Sequence, residues 1–434
     1  MAAGQPTVAF FPEGAFGPTN NCVGIGSVLR ERGVRVVFVV EESFKGTLAA
    51  RGFEEELMRL KPAPAIDEQP GQFWKDFIRD TAPEFRKSTL EQIETLIKPI
   101  WSELISGSIY VNDRLREIFE SVRPDVIVQD NVVAFSAVLT ARIPWVRLVS
   151  CNPLEIRDSS LPPTFSGLPA GQPETWEAFK LAYDESLAET HRDFNSFLTG
   201  TGCPTLPERD FMYESQYLNL YTYPDEIDYP RQAPLGKNWV QLESCVRNTD
   251  PSFTLPSIAG DGPLLYLSLG SLGSADVYLM QRLIEILGKT AYRVIVSMGP
   301  QHQEIRLAKN MWGAEFLPQT SLLPLVDLVI THGGNNTVVE SLYFGKPMVA
   351  LPLFWDQPDN AERLAETGLG IRLDPYRCTE SELLESIEVL LQDEHLHSRL
   401  RGISERLRAR PGTRRAADLI HRLAESRLPV AAPS

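Results

Sequence analysis

Apolar residues in this chain cluster in short continuous blocks instead of alternating with polar ones. In the first third these are "TVAFF" (7–11), "VRVVFVV" (34–40), "PDVIVQD" (124–130) and "IPWVRLVS" (143–150). Short Val/Ile-rich runs bounded by polar or turn residues predict strands buried on both faces, as in a parallel sheet. Helical patterns lie between them: one ends at "LRERG" (29–33), and 60–120 reads as mostly helical. The rhythm breaks over 151–230, where Pro and aromatic residues dominate; composition allows either a pocket lining or a surface excursion. It restarts after "CVRNTDPSFTLPSIAGDG" with "PLLYLSLGS" (263–271), "YRVIVSMG" (292–299), "LVDLVITHGG" (325–334) and "KPMVALPL" (346–353). The expectation is an α/β protein of two tandem doubly wound, Rossmann-like domains facing across a cleft. The boundaries are an N-terminal domain over 1–244, a linker over 245–262, a C-terminal domain over 263–410 and a final segment over 411–434.

Composition narrows the chemistry. The 434 residues are 43% hydrophobic and 23% charged, ordinary for a globular chain, with a net charge of -15. That balance excludes a nucleic-acid backbone or an anionic membrane as the main partner, though a local positive site could still hold a small anion. The five cysteines show no paired or metal-type spacing, which points to a reducing compartment, the cytoplasm, without disulfides or zinc. No leader pattern and no long apolar run occurs, so no membrane anchor is expected.

The densest chemistry lies in "FLPQTSLLPLVDLVITHGGNNTVVESLYFGKPMVALPLFWDQPDN" (316–360). A buried strand ends at Ile330, a His332-Gly333-Gly334 turn follows, and a helix begins near Asn335. The unpaired N–H groups and positive dipole end of such a helix suit a phosphate. Glycine permits close approach, and His332, Asn336 and Thr337 add donors. Glu340, about one turn on, would repel phosphate but could accept from a ribose diol. Asp356 and Gln357 follow the next strand and could hold sugar hydroxyls.

These residues at this spacing resemble the nucleotide-sugar signature of the UDP-glycosyltransferases, with the GT-B architecture. The resemblance extends over nearly the whole chain and is closest between 263 and 371. It implies an inverting hexosyltransferase using a UDP-sugar, with Gln357 pointing to UDP-glucose, and no metal. It assigns Phe316 to base stacking, Gln319 to the neighbourhood of the base, and His332, Gly334, Asn336 and Thr337 to the diphosphate. Ser271, in the "LGS" turn, would also face the diphosphate. Glu340 would hold the ribose, and Asp356 and Gln357 the sugar. The last helix, about 411–426, would cross back to the N-terminal domain. The acceptor would be a small lipophilic molecule, with Trp74 and the aromatic 151–230 segment compatible with its pocket.

One position departs from that pattern. In "EGAFGPTNN" (13–21), Gly17 and Asn20 keep the places of a Gly-His-x-Asn loop, but Pro18 stands where the family has its catalytic histidine. No histidine occurs in 1–190. The orienting acid of that dyad would correspond to Asp130, which can equally be a plain strand-end aspartate. Three enzymatic consequences stay open: acceptors such as amines, thiols or phenols that need little activation, direct base catalysis by Glu13 or Asp130, or slow turnover in a sugar-nucleotide binder. Two alternatives stand outside transfer: a catalytically impaired partner protein, and an epimerase-like enzyme acting on the UDP-sugar.

Overall fold

The computed structural model describes residues 5–63 and 80–431. A seven-stranded sheet is built from β1 Thr7–Pro12, β2 Arg35–Glu41, β3 Glu54–Met58, β4 Val126–Asp130, β5 Trp145–Val149, β6 Leu218–Tyr221 and β7 Trp239–Gln241, in the order β3-β2-β1-β4-β5-β6-β7. A six-stranded sheet follows, from β8 Leu264–Ser268, β9 Arg293–Ser297, β10 Met311–Ala314, β11 Leu328–Thr331, β12 Met348–Ala350 and β13 Gly370–Arg372, in the order β10-β9-β8-β11-β12-β13. The strands of both sheets pair in parallel; Val8, for example, lies opposite Val36 on one side and Val126 on the other. Each sheet reverses strand order beside its first strand, and ligands bind at such switch points beyond the carboxyl ends of the strands.

The continuous apolar runs are explained by burial on both faces. Along β1, Val8 and Phe10 enter one core, while Ala9 and Phe11 enter the other. The same alternation divides Val36, Phe38 and Val40 from Val37 and Val39 on β2. Successive side chains of a strand point to opposite faces, so both must be apolar when helices cover both. One cover is α1, Phe16–Glu31; others are α2, Lys98–Val122, and α3, Glu177–Gly200.

Several elements are absent from the expectation. Strands β3, β10 and β13 lie at sheet edges and are only partly buried, so their sequences ("EEELM", "MWGA", "GIR") lack a Val/Ile run. Helix α3 occupies the stretch expected to be irregular; its buried Phe179, Tyr183, Leu187, Phe194 and Leu198 trace a helical stripe through a polar sequence. The segment between β7 and β8 carries no regular element. Trp74 lies outside the described residues. Among the described residues no helix is long and apolar enough to cross a membrane.

The last helix, α7 (Gly412–Ser426; α4 to α6 are introduced with the site), contributes Ala416, Leu419, Ile420 and Leu423 to the core of the first sheet, not the second. These positions fall at i, i+3, i+4 and i+7, one face of a helix. Close approach at its start requires glycine: a Cβ on Gly412 would collide with the carbonyl oxygens of Leu242 and Ser244. Gly402, inside the helix Glu394–Ala409, has open space around its missing Cβ. Gly402→Ala should therefore stabilise the protein by about 0.5–1 kcal/mol through helix propensity. Gly412→Ala should instead lower the denaturation midpoint by undocking α7, and chemical denaturation of the two variants side by side would show the opposite signs.

Candidate functional site

The carboxyl end of β11 opens into the turn His332-Gly333-Gly334, and α5, Asn335–Tyr343, begins there with Gly334 as N-cap. Gly333 has φ +82°, a left-handed conformation that disfavours side chains, and Gly334 passes close to the imidazole: a Cβ there would lie 2.5 Å from His332 Nε2. Gly270, at φ +73° after β8, abuts the same ring, where a Cβ would lie 2.7 Å away. Ser271 follows in α4, the short helical turn Gly270–Gly273. His332 is thus packed between two glycine turns. Burial lowers its pKa to about 4, so the imidazole is neutral at physiological pH and keeps one N–H to donate.

The first turn of α5 is fastened to the other domain. Asn336 Nδ2 donates to the carbonyl of Gly17 at 2.8 Å, and its Oδ1 accepts from Asn21 Nδ2 at 2.8 Å. Asn335 Nδ2 donates to the carbonyls of Ser150 at 2.7 Å and Thr222 at 3.2 Å. The start of the glycine-turn helix therefore faces the loop that carries Pro18.

Deeper along α5, Glu340 is buried at 5% exposure. Its Oε2 accepts from Gln319 Nε2 at 2.7 Å, and its Oε1 accepts from Arg247 Nη1 at 2.7 Å. Gln319 is oriented by Tyr266, whose hydroxyl donates to Oε1 at 3.1 Å, and its Nε2 also lies 3.3 Å from Thr337 Oγ1. Phe316 is half exposed, with its ring centroid 5.7 Å from that of Phe16 at the start of α1. An aromatic surface thus lies beside a polar pocket containing Gln319, Thr337 and Glu340.

After β12 the chain reaches Trp355, at φ +58°, a conformation costly for a bulky residue. Asp356 follows at the N-cap position of α6, Gln357–Glu366, without a side-chain capping bond. The Asp356 carboxylate accepts from the backbone N–H of Asn152 at 3.0 Å and is pushed up to about 6 by burial. Gln357 Oε1 accepts from the N–H groups of Leu353 at 3.0 Å and Phe354 at 3.2 Å, which leaves its NH₂ group for other partners. Around them the rings of Trp355 and Phe165 lie 4.2 Å apart, Trp355 and Trp101 5.4 Å, and Phe85 stacks on Phe354 at 4.9 Å. Aromatic residues of both domains meet there.

On the N-terminal side, Pro18 occupies the first turn of α1, where its missing N–H costs little because that group has no intrahelical partner. Asp130 is enclosed at 4% exposure; Ser150 Oγ donates to its Oδ2 at 2.5 Å, and burial holds its pKa well above the usual range. Ser150 Oγ in turn accepts from Asn21 Nδ2 at 2.8 Å. Glu13 is half-buried on the β1–α1 loop. Burial, together with Glu155, Glu41 and Asp356, pushes it up to about 7. Glu41, at the end of β2, is likewise raised to about 7, chiefly by burial; a Cβ on Gly14 would overlap its Oε1.

The fold is the GT-B architecture of solved glycosyltransferases. The solved structure of the glycotransferase of kitacinnamycin superposes with a TM-score of 0.71 at 22% identity, over 96% of this chain and 99% of that one. The glycosyltransferase VinC, solved in complex with dTDP, gives 0.63 at 17% identity, over 97% and 100%. Within the chain, residues 226–411 match the family described as UDP-glucoronosyl and UDP-glucosyl transferase. The NDP-glycosyltransferase YjiC of Bacillus subtilis is 24% identical over 93% of either chain. The zeaxanthin glucosyltransferase of Pseudescherichia vulneris is 33% identical over 50% of this chain and 53% of that protein.

Sequence reading left out Asn152, Asn335, Arg247 and Glu41. Asn335 stood inside the "HGGNN" run, and Asn152 at the carboxyl end of a recognised strand, so their positions carried a signal. Arg247 did not, because nothing local distinguishes a linker arginine from a solvated one.

The raised pKa of Glu13 has a thermodynamic consequence. The folded protein holds a proton up to about 7 that the unfolded chain releases near the ordinary 4.5. Folding stability therefore falls as pH rises through that window. Glu13→Gln should stabilise the fold by about 1–3 kcal/mol at pH 8 and change it little at pH 4, as read by denaturation at both values.

Proposed function

We propose that this protein is an inverting glucosyltransferase that moves glucose from UDP-glucose to a small lipophilic acceptor, with Glu13 in the place of an imidazole base. What carries the reading is that His332, Asn336 and Thr337 stand at the start of α5, which faces the Glu13–Pro18 loop, with Gln319 bonded to Glu340 further along the same helix. In this reading the N–H groups of the first turn of α5, with His332, Asn336, Thr337 and Ser271, receive the diphosphate. They stabilise the charge that grows on UDP as the anomeric C–O bond breaks, without a metal. Phe316 stacks on the base, Gln319 lies beside it, and Glu340 accepts from the ribose. Asp356 and the NH₂ group of Gln357 hold hexose hydroxyls.

The acceptor enters among Trp101, Phe165, Phe85, Phe354 and Trp355, which supply an apolar surface shared by the two domains. Zeaxanthin, named for one relative, shows the kind of lipophilic alcohol such a surface suits. The acceptor oxygen attacks the anomeric carbon opposite the departing diphosphate, and its proton goes to a base. Asp130 is enclosed and committed to Ser150, which favours Glu13. A carboxylate that titrates near neutrality is a far better base than one at 4.5. Asp130 then positions Ser150 and, through it, Asn21 and Asn336.

Calorimetry with UDP and a transfer assay with UDP-glucose test the two halves separately. UDP should bind, and His332→Ala should weaken that binding; no association of UDP with the intact protein would end the donor assignment. With an alcohol acceptor, kcat/KM should rise with pH through about 7 as Glu13 ionises. Glu13→Gln should remove that rise and cost about 10²-fold. Amine acceptors should lose much less, because a neutral amine attacks with a free lone pair. A pH profile unchanged in Glu13→Gln would reject Glu13 as the base.

A further inference from the structure

Arg247 lies in the irregular segment joining the two sheets, yet its side chain ends inside the second domain. It is 9% exposed, and each of its hydrogen-bonded nitrogens meets a carboxylate. Nε and Nη2 form a two-pronged pair with Asp250, both at 2.7 Å, and Nη1 donates to Glu340 Oε1 at 2.7 Å. Asp250 is itself fixed by Thr320, whose N–H and hydroxyl donate to Oδ2 at 3.2 and 2.9 Å. On its far side Glu340 meets Gln319, which Tyr266 orients. A chain of bonds therefore runs from Thr320 through Asp250, Arg247, Glu340 and Gln319 to Tyr266, and each member constrains the next.

This arrangement does more than neutralise a buried acid. The planar guanidinium has a fixed fork geometry, so clamping two of its nitrogens on Asp250 fixes the direction of the third. That third nitrogen sets which way the Glu340 carboxylate faces. A carboxylate has about four acceptor positions. Arg247 and Gln319 take one on each oxygen, which leaves acceptors for a vicinal diol. A second cation, Arg51, is near enough that Arg247 lowers its pKa, after the larger effect of burial. The two acids and two arginines balance, so this pocket has no strong net attraction for phosphate and selects by hydrogen bonding.

We propose that Arg247 is a positioning residue that orients Glu340 toward the ribose hydroxyls, so that preference for a ribonucleotide over a deoxyribonucleotide donor is set from the interdomain segment. This rests on the reading of Glu340 as the ribose contact. Its readout separates a positioning role from simple structural support. Support would change the affinity for every nucleotide equally, whereas orientation changes the ratio between UDP and 2′-deoxy-UDP, which lacks one hydroxyl.

Calorimetric titration of the full-length protein with both nucleotides gives that ratio. The intact protein should prefer UDP by about tenfold or more, the scale of a hydrogen bond to a charged group. Arg247→Met should bring the ratio near unity, as should Glu340→Gln, and the double variant should not lower it further. Arg247→Lys keeps the charge but loses the fork, and should recover only part of the preference. Should Arg247→Met fail to fold, Asp250→Asn decides, since it frees the guanidinium while keeping its bond to Glu340. A UDP preference unchanged in Arg247→Met, or in Asp250→Asn where that variant decides, overturns the inference. So does an intact protein that binds both nucleotides equally. Both results leave UDP binding standing, whereas a failure of the intact protein to bind UDP removes the donor assignment itself.

Discussion

The structure depends on the way the start of α5 is held. Its sequence belongs to the second domain, but Asn335 and Asn336 spend their side-chain amides on Ser150, Thr222, Gly17 and Asn21 of the first. Buried amides without partners are expensive, so these bonds fix the spacing of the two domains at this point. The helix dipole, the His332 turn and the Glu13–Pro18 loop are therefore set against one another by a few hydrogen bonds. Asn152 and Asp356 make a further link across the same cleft, and Asp359 accepts from the backbone N–H groups of Phe165 and Gly167 at 2.6 and 2.7 Å. A reaction between a donor on one domain and an acceptor on the other needs such pre-set distances.

The second theme is the uneven treatment of buried charge. Glu155 is paired with Arg147 at 2.9 Å, and Glu340 with Arg247 at 2.7 Å. Burial raises Glu13 to about 7 with neighbouring acids adding to it, and raises Glu41 to about 7 against the opposing effects of Lys61 and Ser43. Burying these acids costs stability, and that cost falls at the β1–α1 loop that carries Pro18. Two carboxylates that titrate near neutrality, in the range of an ordinary imidazole, thus lie at this loop.

Legibility varied with the kind of feature. Most buried strands and the α5 turn could be read because their residues act where they stand: a Val/Ile run needs two covered faces, and a glycine turn before a helix exposes N–H groups whatever surrounds it; buried β6, "LNLY", has no such run and was missed. The edge strands β3, β10 and β13 could not, because partial burial removes the apolar signal. Helix α3 was hidden by polar residues on its exposed side, although Phe179, Tyr183 and Leu187 marked its stripe. The roles sketched for Glu340, Gln357 and Asp130 took no account of neighbours, and each carboxylate or amide is in fact partly engaged by protein groups.

By itself the sequence determined the two-domain α/β plan, the glycine turn at His332 and the lack of an imidazole at Pro18. These follow from local composition and spacing, which no packing can alter. Tertiary structure alone decided which acid is enclosed and which is half-buried, that Gln357 caps its own loop, and that Arg247 reaches Glu340. Those outcomes depend on burial and on partners far away in the chain, and both are properties of the folded arrangement and not of any single stretch of residues.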